Sequence, residues 1–357
     1  MRVRRLWLTD FRNYRDADIT LGGGFTVVVG PNGCGKTSLL EAIGYLARLE
    51  SFRGATLDTM VRHGAGSSVI RAEAESRNRE LLIEAELVPG GRSRCQLNRQ
   101  PVRNGKELAS LMQVSVFTPD DVLLVKGGPV HRRRFLDETL GTMHSRNLAL
   151  RHDLERVLRQ RNALLKQAGG RTNAEVEATL DVWDGRLAEV GEELAALRSQ
   201  LVGRLQPVVG DVYGSLAESR AATGLTYRRG WAGDLLGALK GSRCEDLRRT
   251  VTTVGPQRDE LDLVLGDLPA RTHASQGEQR TLALSLRLAG HQVATETLGF
   301  APVLLLDDVL SELDERRSRR LVGVLPEGQS IMTTAGALPE GDVHPELVLS
   351  LEAGRVR

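Results

Sequence analysis

The sequence predicts an α/β fold into which a pair of long helices is inserted. Three observations support this fold class. Short apolar runs bounded by turn residues, which are typical of strands, occupy the chain up to about residue 130 and again from about residue 250. Between these zones, apolar residues recur at heptad spacing, which is typical of packed helices. One apolar run, near residue 30, leads through a glycine-rich turn into a helical pattern.

The chain is predicted to form two domains. Residues 1–130 and 250–357 would form an α/β head that is split in the sequence, and residues 131–249 would form the helical insertion. At 357 residues and 41% hydrophobic content, the chain can bury one large core or two ordinary ones.

Composition limits the classes of function. The net charge of +2 gives no global attraction to nucleic acid, so any DNA site must be local. Cys34, Cys95 and Cys244 lie far apart without a CxxC spacing, so neither a disulfide framework nor a zinc site is expected. No apolar run approaches the length of a membrane span, and the N-terminus lacks a signal-peptide pattern. These features predict a cytoplasmic protein.

The first zone is predicted to be rich in strands. The predicted strands are 3–8, 25–29, 68–74, 81–87, 95–97 and 114–117. One helix, 38–49, interrupts them, and in the last zone the unalternating apolar run 302–306 suits the buried middle of a mainly parallel sheet.

The middle zone carries two apolar seams at heptad spacing. The first comprises Leu136, Leu140, Met143, Asn147, Leu150, Leu154, Val157, Arg161 and Leu164. The second comprises Val176, Leu180, Trp183, Leu187, Val190, Leu194, Leu197 and Leu201. A turn-rich break at 168–173 separates them, so the two helices should pack antiparallel, and the second should end by Pro207. Helices of about 30 residues would be about 45–50 Å long. The hairpin could pack on the head or project from it.

The glycine-rich turn carries a phosphate-binding pattern. Residues 30–37, Gly-Pro-Asn-Gly-Cys-Gly-Lys-Thr, match GxxxxGK[ST] and lie between a predicted strand and a predicted helix, as this chemistry requires. Lys36 should reach the β- and γ-phosphates of ATP, and the Thr37 hydroxyl should bind Mg²⁺. The residues predicted to contact the nucleotide here are Gly30, Pro31, Asn32, Gly33, Cys34, Gly35, Lys36, Thr37 and Ser38.

Two acidic residues follow the apolar run 302–306. Asp307 is predicted to bind the Mg²⁺ ion, because such a loop needs a carboxylate at the end of a neighbouring strand. Asp308 is predicted to be catalytic, with Lys36, by orienting or deprotonating the attacking water. ABC-type ATPases usually have a glutamate at this position, and the shorter aspartate predicts slow hydrolysis. Asp308 could alternatively be a solvated charge at a strand end.

Residues 275–280, Ser-Gln-Gly-Glu-Gln-Arg, precede a predicted helix and favour anion binding. Alone, the segment could be only a capping box between Ser275 and Glu278. Its place before Asp307, together with Ser-Glu-Leu-Asp at 311–314, resembles the signature motif and D-loop of ABC-type ATPases. That resemblance implies contact with ATP held by a partner subunit. The candidates are Ser275, Gln276, Gly277, Glu278 and Asp314.

Nearly the whole chain resembles the RecF family. The resemblance runs through 10–14, 41–43, 51–53, 96–98, 119–137, 255–261 and 306–314, and the run 119–137 is the most specific. It implies an ABC-type P-loop ATPase head of the SMC-like branch with an inserted helical hairpin. It also implies an ATP-dependent homodimer that binds DNA at gaps or single-strand/duplex junctions in recombinational repair. RecO and RecR would be its partners in loading RecA.

Some residues depart from the family pattern. Cys34 and Ser38 stand where Gln and Asn are expected, and Gln257 stands where a His is usual. ABC-type heads also carry a switch histidine after the last core strand, whereas Thr334 offers only a hydroxyl, which cannot act as a charged acid. Thr334 is a candidate contact to the nucleotide, and its chemistry again predicts slow turnover. Gln113 is a weak candidate for the Q-loop glutamine.

Local arginine groups are the candidates for DNA binding. Arg132, Arg133 and Arg134 open the first long helix and form the densest group. Helical arginines are usually solvated and paired with acids on the same helix, so these residues could instead anchor the helix. No aromatic platform accompanies them, which favours contact with the DNA backbone.

Two other classes of protein share some of these motifs. A transporter ATPase subunit would have the phosphate-binding loop, the signature segment and Asp307, but it has no place for the heptad hairpin; co-purification with a membrane partner would favour it. A structural SMC-like tether would need longer arms than 131–249 provides.

Overall fold

The computed structural model describes residues 1–102, 105–217, 221–336, 338, 344–352 and 354–356. The chain forms two compact units. The first unit comprises Met1–Val122, Asp211–Arg220 and Ser275–Arg357, and the second comprises Leu123–Gly210 and Ala221–Ala274. Within these described ranges, no helix is both long enough and apolar enough to cross a membrane.

The strands are β1 (Arg2–Phe11), β2 (Tyr14–Thr20), β3 (Phe25–Val29), β4 (Ser68–Ser76), β5 (Arg79–Leu87), β6 (Arg94–Leu97), β7 (Gln100–Pro101), β8 (Val114–Phe117), β9 (Thr223–Arg228), β10 (Glu260–Leu265), β11 (Leu268–Pro269), β12 (Val303–Leu306), β13 (Ser330–Thr334), β14 (Leu347–Glu352) and β15 (Arg355–Val356). The helices are α1 (Lys36–Arg48), α2 (Leu57–Met60), α3 (Gly105–Leu111), α4 (Leu123–Lys126), α5 (Pro129–Met143), α6 (Ser145–Ala168), α7 (Ala174–Leu216), α8 (Leu235–Arg249), α9 (Ala270–His273), α10 (Gln276–Leu298) and α11 (Glu315–Gly323).

A mainly parallel sheet of the first unit positions the candidate site. Its strand order is β15-β14-β3-β13-β12-β8, and all pairs except β14 with β15 are parallel. Every residue of β12 is buried, which confirms the prediction of a central strand for this apolar run. Strand β13 lies between β3, which leads into the glycine-rich turn, and β12, which leads into Asp307.

An antiparallel sheet of the first unit has the strand order β2-β1-β4-β5-β6-β7. Alternate residues of β4 and β5 are buried, as expected of a sheet with one face on the core. Leu6, Ile43 and Ile83 belong to one large core that includes residues of this sheet and of helix α1. The predicted strands of the first zone are confirmed, but β2 and the two-residue strand β7 were not predicted.

The second unit contains the heptad-patterned helices and a small antiparallel sheet, β11-β10-β9. The first seam is divided between α5 and α6, which meet at the extended residue His144. Arg161, a seam residue, is fully buried and bonds to Asp184 and Asp246.

The prediction that the second helix ends by Pro207 is wrong, because α7 continues through Pro207 to Leu216. Beyond the proline, Val209, Tyr213 and Leu216 are buried. Burial of these apolar side chains offsets the hydrogen bond that proline cannot make.

Candidate nucleotide-binding site

The glycine-rich turn joins β3 to α1 and has the backbone that its glycines permit. Gly33 and Gly35 have φ angles of 79° and 116°, in the left-handed region that side chains disfavour. A Cβ atom at Gly35 would lie 2.6 Å from the side-chain nitrogen of Asn13. That nitrogen donates to the carbonyl of Cys34 at 2.7 Å. The turn therefore needs glycine both for its conformation and for close contact with Asn13.

Lys36 is a buried cation at the start of α1. Its Nζ donates to the carbonyls of Gly30 and Pro31 at 2.7 and 3.0 Å, and its side chain is 6% exposed. In the part of the chain that the structure describes, no carboxylate forms an ion pair with it. Neutral carbonyls position the ammonium group and leave its charge uncompensated, which suits binding of an anion.

Thr37 meets Asp307 at the carboxyl edge of the parallel sheet. Thr37 Oγ1 donates to Asp307 Oδ1 at 2.8 Å, and Thr333 Oγ1 donates to the same oxygen at 2.9 Å. Burial raises the pKa of the Asp307 carboxyl, and the two hydroxyl donors oppose this shift only partly. Thr333 belongs to β13, the strand between β3 and β12. The motifs did not predict a role for Thr333, because their spacing does not show which strand lies between β3 and β12.

Asp308 follows in a strained conformation. Its φ of 46° is in the left-handed region, which few residues other than glycine adopt. Its backbone N–H donates to Thr333 Oγ1 at 2.9 Å, so one threonine hydroxyl contacts both acidic residues. Its Oδ1 is buried, and no described residue hydrogen-bonds to it. Other atoms of Asp308 line the adjoining groove, whereas this oxygen is covered by protein.

An open groove of about 700 Å³ lies over these residues. Its lining comprises Arg12, Asn13, Asn32, Gly33, Gly35, Lys36, Thr37, Ser38, Arg53, Asp58, Thr59, Val61, His63 and Asp308. The structure thus brings most of the predicted loop residues and Asp308 to one surface. The lining residues from Arg53 to His63 had no assigned role in the sequence, because they fit no phosphate-binding pattern.

Three segments of the family resemblance meet beside the loop. Arg12 donates two hydrogen bonds to the buried carboxylate of Glu41, at 2.7 and 2.8 Å. Ser51 Oγ donates to the same carboxylate at 2.5 Å. The hydroxyl of Tyr14 donates to the carbonyl of Gly35 at 3.0 Å, and burial raises the pKa of that hydroxyl. These segments hold the glycine-rich turn and helix α1 through hydrogen bonds, and Arg12 and Arg53 also line the groove.

The signature-like segment forms a complete capping box at the start of α10. Ser275 Oγ accepts from the Glu278 N–H at 3.3 Å, and the Glu278 carboxylate accepts from the Ser275 N–H at 2.8 Å. The backbone N–H and the hydroxyl of Ser275 both donate to the Glu278 carboxylate and lower its pKa. A Cβ atom at Gly277 would lie 2.6 Å from a guanidinium nitrogen of Arg317. Arg317 in turn pairs with Asp314, whose carboxylate caps α11.

The structure does not bring every predicted residue into the groove. Within the described lining, none of Ser275, Gln276, Gly277, Glu278 and Asp314 occurs. Thr334 ends β13, and its hydroxyl contacts the backbone of Gly336 at 3.2 and 3.3 Å. Gln113 is buried just before β8, at the sheet edge opposite to Asp307, and it donates to the carbonyl of Ala109.

The three consecutive arginines of α5 occupy different environments in the second unit. Arg132 is buried, forms two hydrogen bonds to Glu260 at 2.7 and 2.9 Å, and also donates to the carbonyls of Leu124 and Gly127. Arg133 donates to the carbonyl of Asp259, and burial lowers its pKa. Arg134 is about half exposed and pairs with Glu138 one turn along the helix. Of the three, Arg134 is the one whose side chain reaches solvent most.

Comparison with known proteins first defines the class of protein to which this chain belongs. Residues 2–335 match the family model described as the RecF/RecN/SMC N terminal domain. The Smc head domain from Pyrococcus furiosus, solved with an extended coiled coil, shares the fold: the TM-score is 0.60 at 16% identity, over 99% of this chain and 95% of that one.

Closer relatives narrow the class. The DNA replication and repair protein RecF of Streptomyces avermitilis is 42% identical, over 94% of this chain and 93% of its own length. That of Frankia alni is 41% identical, over 97% and 96%. The solved structure of the recombination mediator protein RecF-ATP in the RecFOR pathway superposes with a TM-score of 0.90 at 26% identity, over 99% and 96%. The chain belongs to the RecF family.

Proposed function

We propose that this chain is a cytoplasmic, ATP-binding protein of recombinational DNA repair that dimerises on ATP and encloses DNA. The observation that carries the proposal is the convergence of Lys36, Thr37 and Asp308 on one groove, with Asp307 hydrogen-bonded to Thr37. The relatives support it by their descriptions, which name DNA replication and repair and, for one solved structure, ATP.

The groove residues fit the triphosphate of ATP and a magnesium ion. The uncompensated ammonium of Lys36 would bind the β- and γ-phosphates. A hydroxyl from Thr37 and a carboxylate oxygen from Asp307 are the hard oxygen ligands that Mg²⁺ prefers, and a cation there would offset the cost of burying the carboxylate. When bound, the ion would neutralise charge on the phosphates. No cluster of three or more His, Cys, Asp or Glu side chains suited to a metal occurs among the described residues, so phosphate oxygens would complete the ligand set.

Asp308 would position the attacking water. Asp308 lines the groove, and its backbone N–H donates to the Thr333 hydroxyl, which fixes the position of the residue. Orientation of one water by a carboxylate raises the rate of hydrolysis. Thr334 supplies only a hydroxyl and no second charged group, so the rate would stay low. Slow ATP hydrolysis would then release the DNA.

A second copy of this chain would complete the site. The N–H groups at the start of α10 would bind an anion, and the Ser275 hydroxyl, which here donates to Glu278, would turn to it as well. This segment lies outside the lining of the chain's own groove. Gly277 and the adjacent guanidinium of Arg317 would face the γ-phosphate held by the partner, with Asp314 beside them.

DNA binding would be directed at the phosphate backbone, at gaps or single-strand/duplex junctions. RecR and RecO would be the protein partners, and RecA would act downstream. Among the three arginines of α5, Arg134 is the best candidate for a phosphate contact, because its side chain is the most exposed. Arg132 would support the fold through Glu260.

Light scattering after size exclusion tests the proposal directly. The mass should double with ATP and Mg²⁺ but not with ADP, and Ser275→Arg should remain monomeric with ATP because the helix terminus is obstructed. Fluorescence anisotropy with gapped and blunt duplexes should show tighter binding with ATP. A monomer in ATP would contradict the dimer, and an ATP-dependent dimer without affinity for DNA would contradict the repair function.

A further inference from the structure

The stretch of sequence that includes the last two strands of the antiparallel sheet is rich in basic residues. Between Glu86 and Glu107 the chain has five basic residues and no acidic one, although its overall net charge is only +2. The basic residues are Arg92, Arg94, Arg99, Arg103 and Lys106. Such a run is a local electrostatic feature that the overall composition does not show.

We call residues 92–101 the basic hairpin. It consists of the loop before β6, strand β6, a two-residue turn and the edge strand β7. Arg92, Arg94 and Arg99 are exposed, and none forms an ion pair or a side-chain hydrogen bond with any described residue. Elsewhere in the same sheet, Arg5 pairs with Asp18 and Arg71 with Glu84. The three arginines of the basic hairpin therefore form no ion pair with the residues that the structure describes, although Glu86 lies opposite Arg94 on the neighbouring strand.

The turn of the basic hairpin holds one of these arginines in an unfavourable conformation. Asn98 and Arg99 have φ angles of 49° and 67°, which a two-residue hairpin turn requires and for which glycine is preferred at the second position. The turn between β4 and β5 also contains an arginine, Arg77, with a φ of 51°. Arg77 stacks on the ring of Phe300, at 5.2 Å. Arg99 has no such contact among the described residues, so its exposed side chain is available to an external ligand.

We propose that the basic hairpin binds the phosphate backbone of duplex DNA. The inference rests on the proposed function, since it names the surface of the first unit through which DNA would be held. Strand β6 has four residues, which corresponds to about 13 Å, or the axial rise of about four nucleotides. The hairpin contains no aromatic residue, which favours phosphates over stacked bases.

The competing explanation is protection of the sheet edge. Charged residues and proline at an edge strand discourage pairing with another chain, and Pro101 lies on β7. If edge protection were the role of these arginines, their substitution would leave the affinity for DNA and its dependence on salt unchanged.

Arg99→Gly separates the two explanations, with Arg77→Gly as the matched control at a similar turn of the same sheet. Glycine relieves the left-handed strain, so Arg99→Gly should melt at a higher temperature than the natural protein. It should nevertheless bind duplex DNA more weakly, and the slope of log affinity against log salt should fall by about one. Arg92→Ala combined with Arg99→Gly should lower the slope by about two, whereas Arg77→Gly should leave it unchanged.

The melting curve shows whether the double variant is folded. If it is folded and its DNA affinity and salt slope are unchanged, the proposal is overturned and edge protection remains as the explanation. Equal loss from Arg77→Gly would overturn it too, since any arginine on the sheet would then suffice. If the natural protein dimerises on ATP without binding DNA, the repair function and the hairpin proposal both fail. If it binds DNA without ATP, only the coupling to ATP fails, and the hairpin variants remain decisive.

Discussion

The buried cation Lys36 at the groove and the buried arginines of the second unit are held by opposite kinds of partner. In the second unit, Arg161 contacts Asp184 and Asp246, and Arg198 contacts Asp137 and Asp259, all of them buried. At the groove, Lys36 contacts only neutral carbonyls.

The difference separates structural charges from charges held for a ligand. A buried cation that has two carboxylate partners is satisfied within the fold, and removing it leaves buried anions unpaired. A buried cation held only by carbonyls keeps its net charge. It therefore contributes less to the stability of the fold and attracts a phosphate more strongly. Substitutions in the second unit should therefore affect stability, and substitutions at the groove should affect nucleotide binding and turnover.

The largest effect is expected from Arg132→Met in the second unit. The change leaves Glu260 without its partner and should lower the free energy of unfolding by about 3–5 kcal/mol. Arg134→Met, two positions along the same helix, removes a pair whose arginine is half exposed although Glu138 is buried, and it should cost less than Arg132→Met. Urea denaturation of both variants measures the difference. Similar small losses in both would mean that burial does not distinguish these arginines.

Lys36→Met should weaken ATP binding by about 1,000-fold, if two charge-assisted phosphate contacts of about 2 kcal/mol each are lost. Its urea midpoint should stay close to that of the natural protein, because no buried anion is left unpaired. Titration calorimetry with ATP and Mg²⁺ measures the affinity. Loss of stability instead of affinity would show that Lys36 is structural, like the second unit's arginines.

Asp308→Asn should slow hydrolysis by at least about 100-fold, because the carboxylate that orients water is lost. ATP binding and ATP-dependent dimerisation should persist, since Asp308 makes no predicted ground-state contact with the phosphates. Single-turnover hydrolysis and light scattering on one sample give both readouts. A normal rate would assign the water to another group.

The smallest effect is expected from Asp307→Asn, and it concerns pH. Burial raises the pKa of Asp307, so the folded state binds this proton more tightly than the unfolded chain does. Its contribution to stability is present below the ordinary pKa of 3.8 and is lost as the pH rises through the raised value. The amide oxygen of the variant can still accept hydrogen bonds from Thr37 and Thr333. The variant should therefore gain stability relative to the natural protein as the pH rises through this range. Its Mg²⁺-dependent ATP binding should weaken. Urea midpoints across this range test the sign; a difference that shrinks with rising pH would contradict it.

Sequence patterns predicted the parts of this molecule that depend on local periodicity. Strand β3 and strand β8 agree with the apolar runs, and the loop from Gly30 to Thr37 lies where its motif requires. The continuation of α7 beyond Pro207 could not be predicted, because it depends on burial of residues such as Tyr213.

The sequence predicted the site residues that belong to local motifs, but it did not predict the contacts between segments that are distant in the chain. Lys36, Thr37 and Asp307 follow from motifs, whereas Thr333 enters only because β13 lies between β3 and β12. The burial of Arg132 also depends on a distant partner, Glu260, 128 residues away in sequence. A basic run indicates charge, but the partners that neutralise each charge are determined by the tertiary fold.

The left-handed backbone at Asp308 restricts which amino acids evolution can place there. Aspartate and asparagine tolerate this conformation better than longer side chains do, because their short polar groups bond locally. A glutamate, with its longer reach toward water, would have to adopt the same unfavourable φ. The turn after β12 thus favours the shorter acid, and exchange of Asp308 for glutamate would set the strain of this turn against any gain in reach. The slow hydrolysis proposed for this chain would then depend on the backbone of the turn as well as on one side chain.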